Sequence, residues 1–286
     1  SGTNWGYTSR DGESHWNQHF PYCAGPLQSP IAFKTAKLIF DASLRPIVLE
    51  NYDLTGGRNL NLTNSGHSFQ VVLPSTMTIS GLPQRYTAAQ LHIHWGSKTS
   101  PLGSEHTVDT HFSPLLQLHI VHYNSEKYPN VSMAFDKSDG LAVLGVFIEH
   151  LTLSYRLGPS VQAMTTFFHI SLKSPRNVTN SHNIPAFDIR TLMPQRLDEY
   201  FRYDGSLTTP PCYQSVQWTV FKNPITVSQA QVTYLPFSIA VPLINNFRKP
   251  LPIENRVVLS SFKLGKIAFH ERRMAVNAIS YQLQCY

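Results

Sequence analysis

The 286-residue chain has no long apolar run and few charged residues. No stretch approaches the roughly 18–20 apolar residues that a membrane-spanning helix needs, so membrane attachment is not evident. The sequence begins at Ser1 without a charged and apolar leader, which indicates a processed or trimmed form. Charged residues make up only 14% of the chain, a low value for a soluble protein, so uncharged polar residues must cover much of the surface.

The chain also lacks a cluster of positive charge, although its net charge is +6. Lysine and arginine are scattered, and the only basic run is Arg272-Arg273. Nucleic-acid binding requires a basic patch or stripe. We therefore predict no nucleic-acid partner and interpret the charge as that of a mildly basic secreted protein.

Cysteine is scarce, and its odd count predicts one internal pair and one thiol left for another chain. The three cysteines are Cys23, Cys212 and Cys285. Three sequons, which are N-glycosylation acceptors, are present at Asn61, Asn130 and Asn177. Together these features predict a secreted or extracellular glycoprotein.

Helical periodicity is rare, whereas short alternating or β-branched runs separated by turn signals are common. The predicted strands include Leu38–Phe40, His67–Leu73, Gln90–Trp95, Leu116–Tyr123, Leu141–Glu149, Ser215–Phe221 and Val257–Ser261. Short helices are predicted at Ser160–His169, Asp188–Leu192 and Ser228–Thr233. This pattern predicts one mainly β (α+β) domain with short peripheral helices.

The last residues differ from the rest, because Phe269, Val276, Ile279 and Leu283 follow a helical spacing. We therefore divide the chain into a domain over residues 1–262 and an extension over residues 263–286 that is a candidate amphipathic helix. Three roles for the extension are open: docking on the domain, homodimerisation through the extension or through Cys285, or forming the stem before a removed membrane anchor.

Two predicted strands carry histidines in alternating positions. His92 and His94 share one face of a strand with Gln90, because side chains two residues apart point the same way. On the strand Leu116–Tyr123, His119 shares a face with Gln117. Three histidines without an obvious fourth protein ligand are typical of a catalytic zinc site with an open position. A zinc hydrolase of the His-Glu-x-x-His type is disfavoured, because no carboxylate stands at that spacing.

Six motifs in order along the chain resemble the alpha-class carbonic anhydrases. They are Asn4-Trp5-Gly6-Tyr7, Gln28-Ser29-Pro30-Ile31, Asn64-Ser65-Gly66-His67, Gln90–Gly96, Gly103–Asp109 and Gly205–Pro211. The chain is most similar to the extracellular members, through Cys23, Cys212, His122-Tyr123-Asn124 and Phe201-Arg202-Tyr203. The resemblance implies a large, mostly antiparallel, twisted central sheet. It also implies reversible hydration of carbon dioxide to bicarbonate and a proton, by attack of a zinc-bound hydroxide on CO₂.

The resemblance also implies a role for individual residues. His92, His94 and His119 would hold Zn²⁺, which lowers the pKa of bound water to about 7, a value taken from carbonic anhydrases themselves. Thr208 and Glu105 would orient the hydroxide, and Thr209 would line the bicarbonate position. An apolar wall would receive CO₂, formed by Val121, Val143, Leu207, Val216 and Trp218.

A proton must also leave the site, and the resemblance assigns its transfer to His67. Ordered water between the metal and His67 would contact Tyr7, Ser65 and Gln70. The resemblance further pairs Cys23 with Cys212 in a disulfide of the kind kept by secreted enzymes.

The chain departs from the family at Gln117, where members normally have a glutamate that binds the third histidine ligand. An amide oxygen can accept the imidazole N–H but carries no negative charge, and losing such a partner costs roughly 10–100-fold in metal affinity or activity. We therefore expect weakened zinc binding or a perturbed water pKa. The alternative function is a carbonic-anhydrase-like extracellular binding or structural protein with weak or lost activity.

Overall fold

A mixed, twisted sheet lies at the centre of the computed structural model. The model describes residues 5–54, 57–97, 99–100, 102–109, 114–150, 181–227 and 243–264. The strands are β1 (Ala32–Phe33), β2 (Ile39–Phe40), β3 (Val48–Glu50), β4 (Asn59–Asn64), β5 (Phe69–Val72), β6 (Thr78–Ser80), β7 (Tyr86–Trp95), β8 (Thr107–Val108), β9 (Leu116–Asn124), β10 (Leu141–His150), β11 (Ser181–Pro185), β12 (Tyr200–Gly205), β13 (Val216–Phe221), β14 (Ile225–Val227) and β15 (Leu259–Ser260). The helices are α1 (Val131–Ala134) and the 3₁₀ turns Trp16–Gln18, Pro21–Ala24, Thr35–Lys37 and Ile189–Leu192.

The main sheet of the described residues has 13 strands, with a path in the order β11-β4-β5-β7-β9-β10-β13-β12-β15-β2. Most neighbouring strands are antiparallel, including β7 with β9 and β9 with β10. The parallel pairs are β10 with β13, β10 with β14, and β15 with β2. The prediction of one β-dominated domain around a mostly antiparallel sheet is confirmed.

Strand β9 has both faces buried, and its alternation assigns each face a different task. Leu116, Leu118 and Ile120 point into the largest apolar core. Gln117 and His119 point to the other face and are also buried. The apolar face packs β9 into the core, and the opposite face carries the polar side chains of Gln117 and His119.

The predicted strands all lie within or overlap observed ones. The predicted helix at Asp188–Leu192 is a 3₁₀ turn, Ile189–Leu192, and the Asp188 side chain accepts a hydrogen bond from the Arg190 N–H as its cap. The predicted helices at Ser160–His169 and Ser228–Thr233 lie outside the described residues. The same holds for Cys285 and the extension from residue 265.

The N-terminal segment is tied to the body by a disulfide between Cys23 and Cys212. These cysteines and Trp16 form a small separate core, against which Trp5, Tyr7 and Phe20 pack. The pairing agrees with the one that the family resemblance implied. None of the helices within the described residues is long and apolar enough to cross a membrane.

Candidate metal centre

Three histidine side chains converge on one face of the sheet. His92 and His94 lie on β7, and His119 lies on β9 directly opposite His92. One ring nitrogen from each lies within 4.8 Å of the others. The alternation of the two strands and their register bring these three imidazoles together, since paired residues of adjacent strands share a face.

Contacts to the other ring nitrogens determine which nitrogens face the centre. His92 Nδ1 lies 2.8 Å from Gln90 Oε1, and His94 Nδ1 lies 2.7 Å from the backbone oxygen of Asn246. Both acceptors require an N–H at Nδ1, so each Nε2 carries a lone pair. His119 Nδ1 lies 3.1 Å from His94 Nε2, whereas the buried His119 Nε2 has no hydrogen-bond partner in the described part of the chain.

The three imidazoles are neutral at physiological pH. Burial lowers the pKa of His94 to about 4 and lowers the pKa values of His92 and His119 well below their ordinary value. The proximity of His94 lowers the pKa values of both neighbours further. Neutral imidazoles can bind a metal ion without first losing a proton.

The donor set and its spacing fit Zn²⁺. Zinc–nitrogen bonds of about 2.0–2.1 Å in a tetrahedral site place two ligand nitrogens about 3.3 Å apart. The separation of 3.1 Å between His94 Nε2 and His119 Nδ1 is close to that value. Three protein ligands leave one tetrahedral position open, which is the arrangement of catalytic zinc sites.

A buried carboxylate lies beside these histidines. Glu105 Oε1 is 3.3 Å from His94 Nδ1 and accepts the backbone N–H of Arg248 at 2.9 Å. Burial raises the pKa of Glu105 to about 8, opposed by the Arg248 N–H and by the Thr208 side chain. The buried Glu105 Oε2 has no hydrogen-bond partner among the described residues. A bound cation would favour the ionised carboxylate.

A glycine allows this carboxylate to approach the end of β7. A Cβ atom on Gly103 would lie 2.0 Å from Gly96 N, so no other residue fits there without a backbone shift. Gly103 therefore lets the chain pass close to the end of β7, and Glu105 follows two residues later, beside the histidines.

The Gln117 amide does not make the contact with His119 that we expected. Its Oε1 accepts the backbone N–H groups of Glu105 at 3.0 Å and His106 at 2.8 Å. Its Nε2 lies 3.1 Å from His106 Nδ1. The Gln117 amide is therefore hydrogen-bonded to the Glu105–His106 segment. His119 Nε2 lacks the hydrogen bond to Gln117 that we expected.

An apolar wall adjoins the three histidines. Val121, Val143, Val216 and Trp218 are buried in one cluster, against which Leu207 packs. The Trp218 ring lies 4.8 Å from the His119 ring, and its Nε1–H donates to the Ser206 oxygen at 3.0 Å. Every residue predicted for the wall thus lies in the same cluster.

A family model for eukaryotic-type carbonic anhydrases matches residues 11–262. The chain belongs to the carbonic anhydrase family. It is 43% identical to human carbonic anhydrase 12 over 273 residues, which cover 92% of this chain and 74% of the relative. It is 37% identical to human carbonic anhydrase 6 over 258 residues (87% and 80%) and 36% identical to mouse carbonic anhydrase 1 over 272 residues (91% and 98%). The family is one of lyases, and this chain is an enzyme of that class.

In this carbonic anhydrase, His67 stacks on Trp5 with the ring centroids 3.6 Å apart and the planes 7° from parallel. Burial lowers its pKa from the ordinary value, and the Asp11 charge opposes that effect. The Ser65 hydroxyl accepts the N–H groups of His67 and Ser68, so it forms the turn that carries His67.

The other two predicted water contacts lie on different elements. Gln70 is on β5, paired with His92, and it is partly exposed. The Tyr7 hydroxyl is buried and has no hydrogen-bond partner in the described ranges. Thr209 is partly exposed, next to the buried Thr208.

Two of the three sequons can be located. Asn61 is exposed on β4, and its Oδ1 accepts from the Thr63 hydroxyl at 3.2 Å. Asn130 is exposed and caps α1 by accepting the Met133 N–H at 3.0 Å. Asn177 lies outside the described residues.

Sequence reasoning missed Asn246 and Arg248. Asn246 supplies the carbonyl for His94, and Arg248 supplies the N–H for Glu105. Neither lies in a periodic segment, and both contacts join positions more than 140 residues apart in the sequence. No local signal in the sequence indicates these contacts.

Proposed function

We propose that this protein catalyses the zinc-dependent, reversible hydration of carbon dioxide to bicarbonate and a proton. The observation that carries the proposal is the convergence of three neutral imidazoles within 4.8 Å beside an apolar wall. His92 and His94 would bind Zn²⁺ through Nε2, and His119 through Nδ1. When bound, the ion supplies Lewis-acid chemistry, making hydroxide available from water at neutral pH.

Glu105 and Thr208 would orient the nucleophile. An ionised Glu105 would accept a hydrogen bond from the Thr208 hydroxyl, which would leave the threonine oxygen able to accept a hydrogen bond from the nucleophile. Holding the nucleophile in one orientation beside the apolar wall would lower the barrier to its attack. The proximity of Thr208, which lowers the pKa of Glu105, supports the pairing.

Different residues would receive the substrate and the product proton. Carbon dioxide is small and nonpolar, so the wall of Val121, Val143, Leu207, Val216 and Trp218 suits it. His67 is half-buried and titrates below its ordinary pKa, so its neutral form is available to accept a proton at neutral pH.

A second candidate function is supported by Gln117. Because its amide is bonded to the Glu105–His106 segment, the third ligand lacks a contact that fixes its orientation. A protein with this arrangement can retain zinc weakly and serve as an extracellular binding or structural protein.

We further infer a secreted or extracellular location, supported by the disulfide between Cys23 and Cys212. The exposed sequon residues Asn61 and Asn130 are compatible with glycosylation. Self-association through Cys285 or the C-terminal extension stays a prediction. Non-reducing electrophoresis of the full chain that yields only monomer would exclude a disulfide-linked dimer.

Stopped-flow CO₂ hydration, with and without a sulfonamide inhibitor, tests the proposed function. Sulfonamide-sensitive hydration that scales with zinc content supports catalysis, whereas zinc binding without hydration supports the binding protein. Gln117→Glu should tighten zinc binding by roughly 10–100-fold, because it restores a negative charge near His119. Gln195→Glu, an exposed matched change, should leave affinity unaltered. Equal zinc affinity and rate in Gln117→Glu and the unmodified protein would contradict the weakening attributed to Gln117.

A further inference from the structure

A buried chain of hydrogen bonds runs from Gln117 to the loop that carries Thr208. Gln117 Nε2 lies 3.1 Å from His106 Nδ1, and His106 Nε2 lies 2.6 Å from Tyr203 Oη. Tyr203 Oη lies 2.9 Å from Ser29 Oγ, which accepts the Ser206 N–H at 3.0 Å. All five residues are buried, so water cannot replace a missing partner easily.

The direction of this chain is fixed at its first member. Gln117 Oε1 already accepts two backbone N–H groups, from Glu105 and His106, at 3.0 and 2.8 Å. These bonds occupy both lone pairs of the oxygen and fix which end of the amide is nitrogen. The nitrogen therefore faces His106 Nδ1, whereas the distance from His106 Nδ1 to Gln117 Oε1 is longer, 3.3 Å.

An amide nitrogen can only donate, so His106 Nδ1 must carry a lone pair. Burial keeps His106 neutral at physiological pH, with a pKa of about 3. Its single proton is then on Nε2 and is donated to Tyr203 Oη. The far end of the chain leads to the same assignment: Tyr203 Oη–H donates to Ser29 Oγ, so it has no proton left for His106.

We propose that Gln117 is a positioning residue that sets the direction of this chain and so fixes the segment leading to Thr208. Ser206 is held on both sides, because its N–H donates to Ser29 Oγ and its Oγ accepts the Ser29 N–H at 2.9 Å. Thr208 follows two residues later. The consequence for Thr208 rests on the proposed function, whereas the direction of the chain does not.

A carboxylate at position 117 would reverse the chain. It can only accept, so His106 would have to carry its proton on Nδ1 and expose a lone pair at Nε2. Tyr203 would then donate to His106, and its oxygen would accept the Ser29 hydroxyl proton instead of donating to Ser29. The amide at position 117 is thus matched to the present network, although it lacks the charge that would strengthen the third zinc ligand.

Nitrogen-15 NMR of the imidazole rings tests the direction of the hydrogen-bond chain. The spectra are recorded on the full-length protein, both without zinc and loaded with zinc. We expect His106, assigned through its side-chain carbons, to be protonated at Nε2 in the unmodified protein and at Nδ1 in Gln117→Glu. A proton on Nδ1 in the unmodified protein would overturn the proposal. This measurement does not depend on CO₂ hydration, so a failed activity assay leaves its result intact.

Discussion

Replacing Asn246 with alanine should affect both the metal centre and the fold. The residue is fully buried and its side chain makes three hydrogen bonds. Its Oδ1 accepts the Trp95 N–H at 2.7 Å, and its Nδ2 donates to the oxygens of His67 at 3.0 Å and Ile93 at 3.2 Å. Its backbone oxygen faces His94 Nδ1 at 2.7 Å. One residue therefore connects a proposed zinc ligand, its strand and the predicted proton shuttle.

The size of the effect follows from these bonds. A buried hydrogen bond contributes about 1 kcal/mol net, so losing three should lower the free energy of unfolding by about 3 kcal/mol. Once the side chain is removed, the backbone oxygen facing His94 is no longer held in place. Loss of such a contact lowers zinc affinity by roughly 10–100-fold.

Urea unfolding of the zinc-free protein and competition with a chelator measure the two effects separately. Asn17→Ala is an exposed control and should change stability by less than about 0.5 kcal/mol. Asn246→Asp keeps an acceptor for Trp95 but turns a carboxylate oxygen towards two carbonyl oxygens, so it should be destabilised as well. Zinc affinity within twofold of the unmodified protein in Asn246→Ala would refute the reasoning, since His94 would then be held by something else.

Three further predictions concern the proposed mechanism and the fold. His67→Ala should reduce CO₂ hydration in dilute buffer by at least about tenfold, with recovery on adding imidazole, and the midpoint of the His67-dependent step should lie below pH 6.5 because burial lowers that pKa. Thr208→Val should lower the rate by roughly 10²-fold at unchanged zinc content, whereas an unchanged rate would exclude the orienting role with Glu105. Cys23→Ser with Cys212→Ser should cost about 2–5 kcal/mol in urea unfolding, and reduction of the unmodified protein should have the same effect.

The strands that carry the ligands could be predicted because their signals are local. Alternation over Gln90–Trp95 and Leu116–Tyr123 places His92, His94 and His119 on defined faces before any contact is known. The contact between His92 and Gln90 is equally local, since both lie on one strand at a separation of two residues. Side chains alternate between the two faces of a strand because of local backbone geometry, so the pattern of residue types along the sequence is enough to predict the face of each residue.

The partner of each buried polar group could not be predicted in the same way. Gln117 shares a face with His119, which led to the expectation of a contact between them. The fold instead places the N–H groups of Glu105 and His106 within 3.0 Å of the amide oxygen. Two buried N–H groups without partners would be costly, so the amide binds them.

The sequence by itself determined the β-dominated domain, the strand faces on which His92, His94 and His119 lie, and the family motifs. Each depends on residue types at fixed spacing, which the backbone geometry of a strand converts into a shared face. Only the tertiary structure decided that Asn246 holds His94, that Arg248 holds Glu105, and that Gln117 is turned towards His106. The first two contacts join residues more than 140 positions apart, and the third joins residues 11 positions apart. Packing selects all three by the requirement that buried donors and acceptors be satisfied.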